Sequence, residues 1–304
     1  MSDQVFMKVT LVVPAFNEEE AVGLVINEYY PFVDELIVID DGSSDKTYDV
    51  ASRYADEKVI IIRHEKNRGK VEALMTGVAR ATGDVIVFTD ADCTYPARYI
   101  PEFIRELEQG ADLVLGTRVI DASNIPFLNR IGNVTFSTLA TYISGKAITD
   151  GQTGFRAFKR SMFESLQVRA KSLEFETKMT VRAAKLGYVI VEVPIEYRKR
   201  VGTSKLHPIV DGYRMLQSLL SIAWHETSPL AKMISVPGLI IILVGLFFSL
   251  FVLYDYYLHY YLEHQYYPLI AIFSILMGIQ LTSLGLIIDY LTKKLDRIEE
   301  QMRR

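Results

Sequence analysis

Short apolar runs alternate with segments of helical spacing along the first part of the chain. The apolar runs predict strands, and the segments between them predict helices. We expect strands over 9–13, 36–39, 59–62, 85–88 and 113–116, and helices over 18–30, from 45 onwards, over 70–81 and over 97–109. Near-continuous apolar strands separated by helices are typical of a mostly parallel sheet that is covered on both faces. The pattern therefore predicts an α/β domain with a Rossmann-like sheet.

Two long stretches without charged residues, 233–254 and 268–288, lie near the C-terminal end of the chain. A helix rises about 1.5 Å per residue, so each stretch is long enough to cross the hydrocarbon core of a bilayer. The connector 255–267 contains six tyrosines and no Lys or Arg, whereas basic residues flank the pair on the outside. By the positive-inside rule, we expect two transmembrane helices in a lipid bilayer, with the N-terminal domain and the C-terminus in the cytoplasm.

These patterns divide the chain into four parts. We expect a cytosolic globular domain over 1–205, an amphipathic region over 206–228, two transmembrane helices within 229–292 and a charged cytosolic tail over 293–304. In the second part, apolar residues recur with helical spacing. That spacing fits an interfacial helix lying on the membrane, and it also fits a core helix of the globular domain. The adjoining span favours the interfacial helix.

Composition excludes several classes of function. The net charge is −4, so no bulk electrostatic attraction favours nucleic acid as a partner. A single cysteine, Cys93, excludes an intrachain disulfide, and no Cys/His cluster indicates zinc. Neither a Gly-x-Gly-x-x-Gly sequence nor a Walker A sequence is present, which argues against dinucleotide and P-loop sites. The first residues lack the basic and apolar regions of a signal peptide, so we expect none.

Two carboxylates, Asp90 and Asp92, directly follow the predicted strand 85–88. Carboxylates at the end of a buried strand are costly unless a cation or a tight set of hydrogen bonds holds them. A hard divalent cation takes oxygen ligands from one or two carboxylates and fills its other positions with water and phosphate oxygens. The spacing therefore predicts a metal–diphosphate site, although a solvated turn after a strand gives the same local pattern.

Polar residues also follow the other predicted strands. The segments are 14–18 after the first strand, 40–45 after the second and 67–70 after the third. In parallel sheets, ligands bind outside the carboxyl ends of the strands, so these segments should meet at one edge. Asp40 and Asp41 can accept hydrogen bonds from a base or a ribose, and Gly69 and Lys70 at a helix start suit a phosphate.

Six motifs carry a family resemblance. Three of them, at 13–19, 40–47 and 89–92, resemble the inverting family 2 glycosyltransferases with a GT-A fold. Three later motifs, at 115–118, 150–156 and 200–206, resemble the branch of that family that acts on polyprenyl phosphates, which includes dolichyl-phosphate mannose synthases and undecaprenyl-phosphate glycosyltransferases. The resemblance covers about residues 8–206, and the two spans match members with a C-terminal hairpin.

The resemblance implies a site for a nucleotide sugar donor. It implies contacts with the base and ribose at Pro14, Ala15, Glu18 and Asp41. From their place after the predicted strands, we expect further contacts with the donor at Asn17, Asp40, Ser43, Gly69, Lys70 and Ala91. The resemblance implies that Asp90 and Asp92 hold the Mg²⁺ or Mn²⁺ that bridges the diphosphate. Asp150 and Gln152 are expected at the sugar or the diphosphate, whereas Arg156 is expected there or in a structural ion pair.

The resemblance also implies an acceptor, dolichyl or polyprenyl phosphate. Three arginines, Arg118, Arg130 and Arg200, resemble the residues that meet its phosphate, and Ser204 and Lys205 lie beside them. Guanidinium groups bind phosphate in a bidentate manner. A phosphate monoester is largely ionised at neutral pH, so this nucleophile needs orientation rather than a general base. In-line attack would invert an α-linked donor to a β-linked lipid-phosphate sugar, with Asp90, Asp92, Arg118 and Arg200 as the catalytic group.

Several alternatives stay open at the level of sequence. Two spans, and Thr94 where mannose synthases often have Gln, favour a UDP-sugar over GDP-mannose. A processive polysaccharide synthase would have a Gln-x-x-Arg-Trp motif, which does not follow Gln217. A non-catalytic membrane scaffold would be expected to lose the metal carboxylates or the acceptor arginines. The acidic pair Glu174 and Glu176 fits either a site or a helix N-terminus. Related two-span enzymes suggest a homo-oligomer, in the form of a tetramer.

Overall fold

The structure is a computed structural model of the chain. It describes residues 7–118, 134–135, 137–138, 141, 147–166, 175–203, 217, 221, 224–225, 227–259 and 264–303. The chain forms two compact units, 1–222 and 223–304.

The first unit is built around one seven-stranded sheet. Its strands are β1 (Val9–Ala15), β2 (Glu35–Asp40), β3 (Val59–Arg63), β4 (Val85–Phe88), β5 (Leu113–Thr117), β6 (Arg156–Lys159) and β7 (Ile190–Pro194). They lie in the order β3-β2-β1-β4-β6-β5-β7. Strand β6 is antiparallel to both of its neighbours, and every other pair is parallel. The mostly parallel sheet predicted from the sequence is confirmed, with β6 inserted between β4 and β5 and β7 added at one edge.

Six described helices connect these strands. They are α1 (Val22–Tyr29), α2 (Thr47–Ser52), α3 (Lys70–Arg80), α4 (Ile100–Glu108), α5 (Arg160–Leu166) and α6 (Phe175–Lys185), and short 3-10 turns cover Tyr30–Phe32 and Ala97–Tyr99. Helix α1 begins four residues later than the predicted 18–30, because residues up to Glu18 form a loop that is bonded to the next strand's loop.

The two faces of the sheet are buried against different side chains. Leu11 and Val13 of β1 belong to one apolar cluster, together with Val25 of α1. Val12, between them in sequence, belongs to the other cluster, together with Leu74 of α3. Successive side chains of a strand point to opposite faces, so helices cover both sides of the sheet, as predicted. Full burial of one such side chain stabilises the fold by about 1.5–3 kcal/mol.

Strand β6 brings a distant part of the chain to the edge where the parallel strands end. Phe88, the last residue of β4, pairs with Arg156, the first residue of β6. Because the two strands run in opposite directions, the residues before Arg156 lie beside the residues after Phe88. Residues 150–155 therefore reach the same edge of the sheet as residues 89–92.

The second unit contains two long helices, α7 (Pro229–His259) and α8 (Tyr267–Arg303). Within them, Pro229–Leu258 and Tyr267–Leu295 are long and apolar enough to cross a membrane. They contain the predicted stretches 233–254 and 268–288.

The helices α7 and α8 pack against each other in an antiparallel hairpin. Small residues allow this close approach: a Cβ added to Gly238 would lie 2.9 Å from the carbonyl oxygen of Gly278, and one added to Gly245 would lie 2.9 Å from that of Ala271. At the start of α7, the buried carboxylate of Asp289 accepts a hydrogen bond of 2.8 Å from the Ser228 amide.

Candidate active site

The loops after β1 and β2 are locked to each other by hydrogen bonds. The Asn17 amide donates to Ser43 Oγ at 2.9 Å, and the Asn17 side-chain oxygen accepts from the Ser44 amide at 2.8 Å. The Glu18 amide donates to Thr47 Oγ1 at 2.7 Å. Asn17 has a positive φ of 54°, a conformation that Asn tolerates better than most residues. These bonds fix one wall of the cleft at the carboxyl edge of the sheet.

Asp41 organises the turn that leads into α3. Its Oδ1 accepts from the Arg68 amide at 2.9 Å and lies 2.7 Å from His64 Nδ1, while its Oδ2 accepts from the Gly69 amide at 2.7 Å. Asp41 is buried, and both oxygens have protein partners. Asp40 beside it is fully buried, with Oδ1 accepting from the Ser43 amide. A contact between Asp41 and a nucleotide base stays a prediction.

Asp90 lies at the end of β4 in contact with a lysine. Lys70 Nζ is 2.7 Å from Asp90 Oδ1 and 3.2 Å from Glu176 Oε1, so the ammonium group bridges two carboxylates. Gly154 approaches from the other side, where an added Cβ would lie 2.8 Å from Asp90 Oδ2. Burial raises the pKa of Asp90, but the charge and hydrogen bond of Lys70, together with the charges of Arg118 and Arg200, outweigh it, and the pKa lies below its usual range.

Asp92 is held in a fixed orientation by the residue two positions later. Its Oδ1 accepts from the Thr94 hydroxyl at 2.6 Å and from the Thr94 amide at 3.2 Å. Its Oδ2 lies 3.5 Å from Arg200 Nη1. Burial, and then the negative charge of Asp90, raise the pKa of Asp92 above its usual range. The negative charge of Asp92 is therefore only partly compensated by its surroundings.

This carboxylate pair fits a hard divalent cation. The donors are carboxylate oxygens, which Mg²⁺ and Mn²⁺ prefer. Among the described residues, no group of three or more His, Cys, Asp or Glu side chains is placed to hold a metal. Two protein ligands leave the remaining positions to water and phosphate oxygens, which is the usual arrangement when a cation is bound together with a phosphorylated substrate.

Two of the predicted arginines also lie at this edge, each held by a carboxylate. Arg118 makes two parallel contacts of 2.7 Å with Asp150, through Nε and Nη2, and its Cζ lies 5.5 Å from the centre of the Tyr197 ring. Arg200 donates through Nη2 to Glu18 Oε1. The bidentate contact with Asp150 therefore holds the Arg118 guanidinium in a defined orientation. Glu18 and Asp92 do the same for Arg200.

Arg156 requires a correction, because the structure buries it completely. Its guanidinium donates to the Thr153 carbonyl at 3.2 Å from Nε and to the Glu176 carbonyl at 3.0 Å from Nη1. Those bonds use the side chain to hold the loop before β6 against the start of α6. Arg156 thus has a structural role, but it bonds to backbone carbonyls rather than forming the ion pair that was the second role expected for it.

The other predicted site residues differ in exposure. Ala15, Ser43 and Ala91 are buried, Pro14, Gly69 and Gln152 are partly exposed, and Lys70 is exposed. Arg130, Ser204 and Lys205 lie outside the described residues, and so does most of the amphipathic region 206–228. Their roles stay predictions.

The geometry adds residues that were not assigned to the site from sequence. Thr94 orients Asp92, Gly154 abuts Asp90, and Glu176 shares Lys70 with Asp90. Tyr95 accepts a hydrogen bond from the Gly154 amide, and burial raises its pKa. In the sequence, the acidic pair Glu174 and Glu176 was the signal that could have identified Glu176, but it fitted either a functional site or a helix N-terminus.

Comparison with known proteins identifies relatives. Residues 10–167 match the family model described as "Glycosyl transferase family 2". A "Dolichyl-phosphate hexose transferase" of Haloferax volcanii is 33% identical over 230 residues, covering 74% of this chain and 98% of the relative. A "UDP-N-acetylglucosamine--dolichyl-phosphate N-acetylglucosaminyltransferase" of Methanococcus voltae is 31% identical, covering 68% of this chain and 94% of the relative.

Solved structures have the same fold as the first unit. Glucosyl-3-phosphoglycerate synthase from Mycobacterium tuberculosis, crystallised with Mn²⁺, UDP-glucose and phosphoglyceric acid, matches with a TM-score of 0.57. It is 24% identical, and the match covers 71% of this chain and 80% of that one. A second mycobacterial protein matches with a TM-score of 0.60 and 25% identity, covering 71% of this chain and 75% of that one. These matches confirm the sheet architecture expected from the sequence.

Proposed function

The chain belongs to glycosyl transferase family 2, has the GT-A fold and is a glycosyltransferase, and from that premise we propose that it moves a sugar from a nucleotide sugar to dolichyl or polyprenyl phosphate. Two relatives named for dolichyl phosphate support this acceptor. The observation that carries the proposal is the meeting of a carboxylate pair, Asp90 and Asp92, with two oriented arginines, Arg118 and Arg200, at one sheet edge.

The donor half of the proposed site consists of the loops after β1, β2 and β4. Asp90 and Asp92 would hold Mg²⁺ or Mn²⁺, which when bound neutralises the diphosphate leaving group as a Lewis acid. Thr94 keeps Asp92 in place, and Lys70 supplies a further positive charge beside Asp90. A UDP-sugar is the favoured donor, since the Methanococcus relative is named for one.

The acceptor half consists of the arginines. Arg118 and Arg200 would orient the lipid phosphate so that one of its oxygens faces the anomeric carbon, while their charges bind the other oxygens. The phosphate is already ionised at neutral pH, so no side chain has to remove a proton. Attack from the face opposite the diphosphate inverts the anomeric configuration and gives a β-linked product from an α-linked donor.

The hairpin of α7 and α8 would anchor the chain in the membrane that contains its lipid substrate. We propose that α7 and α8 cross the bilayer and that the first unit lies on the cytoplasmic side, because Lys and Arg flank the hairpin and are missing from its connector. A polyprenyl chain stays in the hydrocarbon region, so only its phosphate has to reach the arginines.

Incubation of membranes containing the full chain with labelled sugar nucleotides tests the function. UDP-glucose, UDP-N-acetylglucosamine and GDP-mannose are offered separately, and the lipid is extracted. We expect label in the lipid fraction from a UDP-sugar, and a loss of at least about 100-fold in Asp92→Asn, because the cation then lacks a charged ligand. Label from GDP-mannose alone would instead identify a mannose synthase.

Asp112→Asn is the matched control. Asp112 is a carboxylate of the same sheet, but it lies at the opposite edge, where it pairs with Lys159 at 3.1 Å. We expect this variant to transfer sugar at the wild-type rate. No label in lipid from any of the three donors, in membranes whose protein melts cooperatively, would contradict the proposed function.

A further inference from the structure

Arg200 occupies a place that connects the two halves of the proposed site. Its Nη2 donates to Glu18 Oε1, and its Nη1 lies 3.5 Å from Asp92 Oδ2. Glu18 and Asp92 are both buried, whereas about a quarter of the Arg200 side chain (28%) is exposed. The guanidinium is therefore shared between a carboxylate that is a candidate metal ligand and one that is not.

The available oxygen of Asp92 is the one that Arg200 contacts. Asp92 Oδ1 already accepts two hydrogen bonds from Thr94, so Oδ2 is the oxygen that faces the guanidinium. A divalent cation that binds Oδ2 would place two positive charges against one another at close range. Such repulsion disfavours simultaneous occupancy, so the arginine and the cation compete for Asp92.

We propose that Arg200 is the internal counter-ion of Asp92 and competes with the divalent cation for that carboxylate. Glu18 is then a positioning residue, which keeps Arg200 in place after the cation has displaced it from Asp92. This inference rests on the metal site of the proposed function. Arg200 Nε is buried and has no hydrogen-bond partner among the described residues. A buried N–H without an acceptor is unfavourable, so the released guanidinium has a donor ready for an anion.

The competition links the two substrates. Once the cation and its nucleotide hold Asp92, Arg200 keeps its bond to Glu18 and turns its remaining donors towards the acceptor phosphate. Such coupling is reciprocal. If the bound cation frees Arg200 and so strengthens the binding of an anion, the bound anion strengthens the binding of the cation by the same factor. Donor and metal would therefore prepare the acceptor site, and an empty site would bind lipid phosphate weakly.

Direct titration of Mn²⁺ tests this without relying on activity. The full chain in detergent is titrated with Mn²⁺, and the free ion is followed by electron paramagnetic resonance. The salt concentration is about 0.15 M, at which charges more than roughly 8 Å apart are screened. We expect Arg200→Gln to bind Mn²⁺ about fivefold more tightly than wild type. We expect Glu18→Gln to bind it more weakly, because Arg200 then depends on Asp92 alone.

The double variant separates this competition from a general change in charge. If Glu18 acts through Arg200, then Glu18→Gln has no effect on the Mn²⁺ affinity once Arg200→Gln is present. Independent, additive effects of the two substitutions would overturn the inference. Arg198→Gln is the matched control. It removes the same charge two positions earlier in the sequence, from a side chain that pairs with Glu28 at 2.9 Å. We expect its Mn²⁺ affinity to equal that of wild type.

Two further outcomes are informative. Wild-type protein that binds no Mn²⁺, with or without UDP, would contradict the proposed metal site itself. Wild-type protein that binds Mn²⁺ with the same affinity as Arg200→Gln would leave the proposed function intact and refute the counter-ion role. If Arg200→Gln does not fold, Arg200→Lys takes its place, because lysine keeps the charge but cannot span both carboxylates. A lysine that pairs with Asp92 should weaken Mn²⁺ binding, as Glu18→Gln does, and one that pairs with Glu18 should strengthen it, as Arg200→Gln does. An unchanged Mn²⁺ affinity counts against the proposal.

Discussion

At the scale of single residues, Asp41 illustrates how the cleft is constructed. Its two oxygens accept hydrogen bonds from the Arg68 and Gly69 amides and contact His64. The turn so formed precedes Lys70, which reaches Asp90. Asp41 therefore also determines where the ammonium group of Lys70 lies.

We expect Asp41→Ala to destabilise the protein by at least about 3 kcal/mol. The substitution leaves two backbone amides and a buried histidine without their acceptor, and each unsatisfied group costs about 1–3 kcal/mol. Thermal unfolding of the full chain in detergent measures the effect. Asp45→Ala, which removes a carboxylate from the same motif, is expected to cost less, because Asp45 is only partly buried, although it accepts hydrogen bonds from Thr47 and from the Glu19 amide. Equal melting temperatures for wild type and Asp41→Ala would contradict this role.

The candidate site could be predicted in part from the residues themselves. The candidate metal ligands Asp90 and Asp92 follow an apolar run, so their position at the edge of a sheet could be predicted from the sequence. The partners of Arg118 and Arg200 were not, because Asp150 and Glu18 are distant in sequence and only the folded chain brings them together. Arg156 belongs to a motif of site residues, yet its burial depends on α6, which no local pattern connects to it.

At the scale of elements, the opposite edge of the sheet is stabilised by a buried carboxylate. Glu35, at the start of β2, accepts hydrogen bonds from the Thr10 hydroxyl at 2.6 Å and from the Thr82 amide and hydroxyl at 2.7 and 3.0 Å. Burial raises the pKa of Glu35, but these hydrogen bonds outweigh it and hold the pKa below its usual range. The carboxylate joins β1 and β2 to the turn before β4.

This arrangement predicts a pH-dependent stability. Because the pKa of Glu35 is lower in the folded than in the unfolded chain, its contribution is complete above the unfolded value of about 4.3 and is lost as the pH falls through the folded value. We expect Glu35→Gln to lower the melting temperature at pH 7 and to have a smaller effect below pH 4. A difference between wild type and variant that does not shrink on acidification would refute this assignment.

The strands of the sheet were not equally predictable. Strands β1 to β5 follow apolar runs, and a run of apolar residues buried on both faces identifies a central parallel strand. Strand β6, Arg156–Lys159, begins and ends with a basic residue and is only four residues long. Its position between β4 and β5 is a property of tertiary pairing, which a local pattern cannot specify.

At the scale of the whole molecule, the helical hairpin predicts a topology that can be measured. We expect the tip of the hairpin to face away from the cytoplasm and the far end of α8 to face into it. Single cysteines at Tyr257 and Leu295, both exposed in the structure, are introduced after Cys93→Ser. In sealed right-side-out vesicles, an impermeant maleimide should label Tyr257→Cys, and it should label Leu295→Cys only after the vesicles are opened. The reverse labelling would place the first unit on the other side.

The antiparallel insertion of β6 has an implication for how such enzymes change over time. Four parallel strands carry the loops of the proposed nucleotide half in one continuous stretch of sequence. Residues 150–155, where we expect contacts with the sugar, come from a separate stretch that leads into β6 between β4 and β5. If those contacts are made, mutations in that stretch would change which hexose is accepted and would leave the residues proposed to bind the leaving group unchanged. Exchanging residues 147–159 between two members of the family should accordingly transfer sugar preference without transferring the choice of nucleotide.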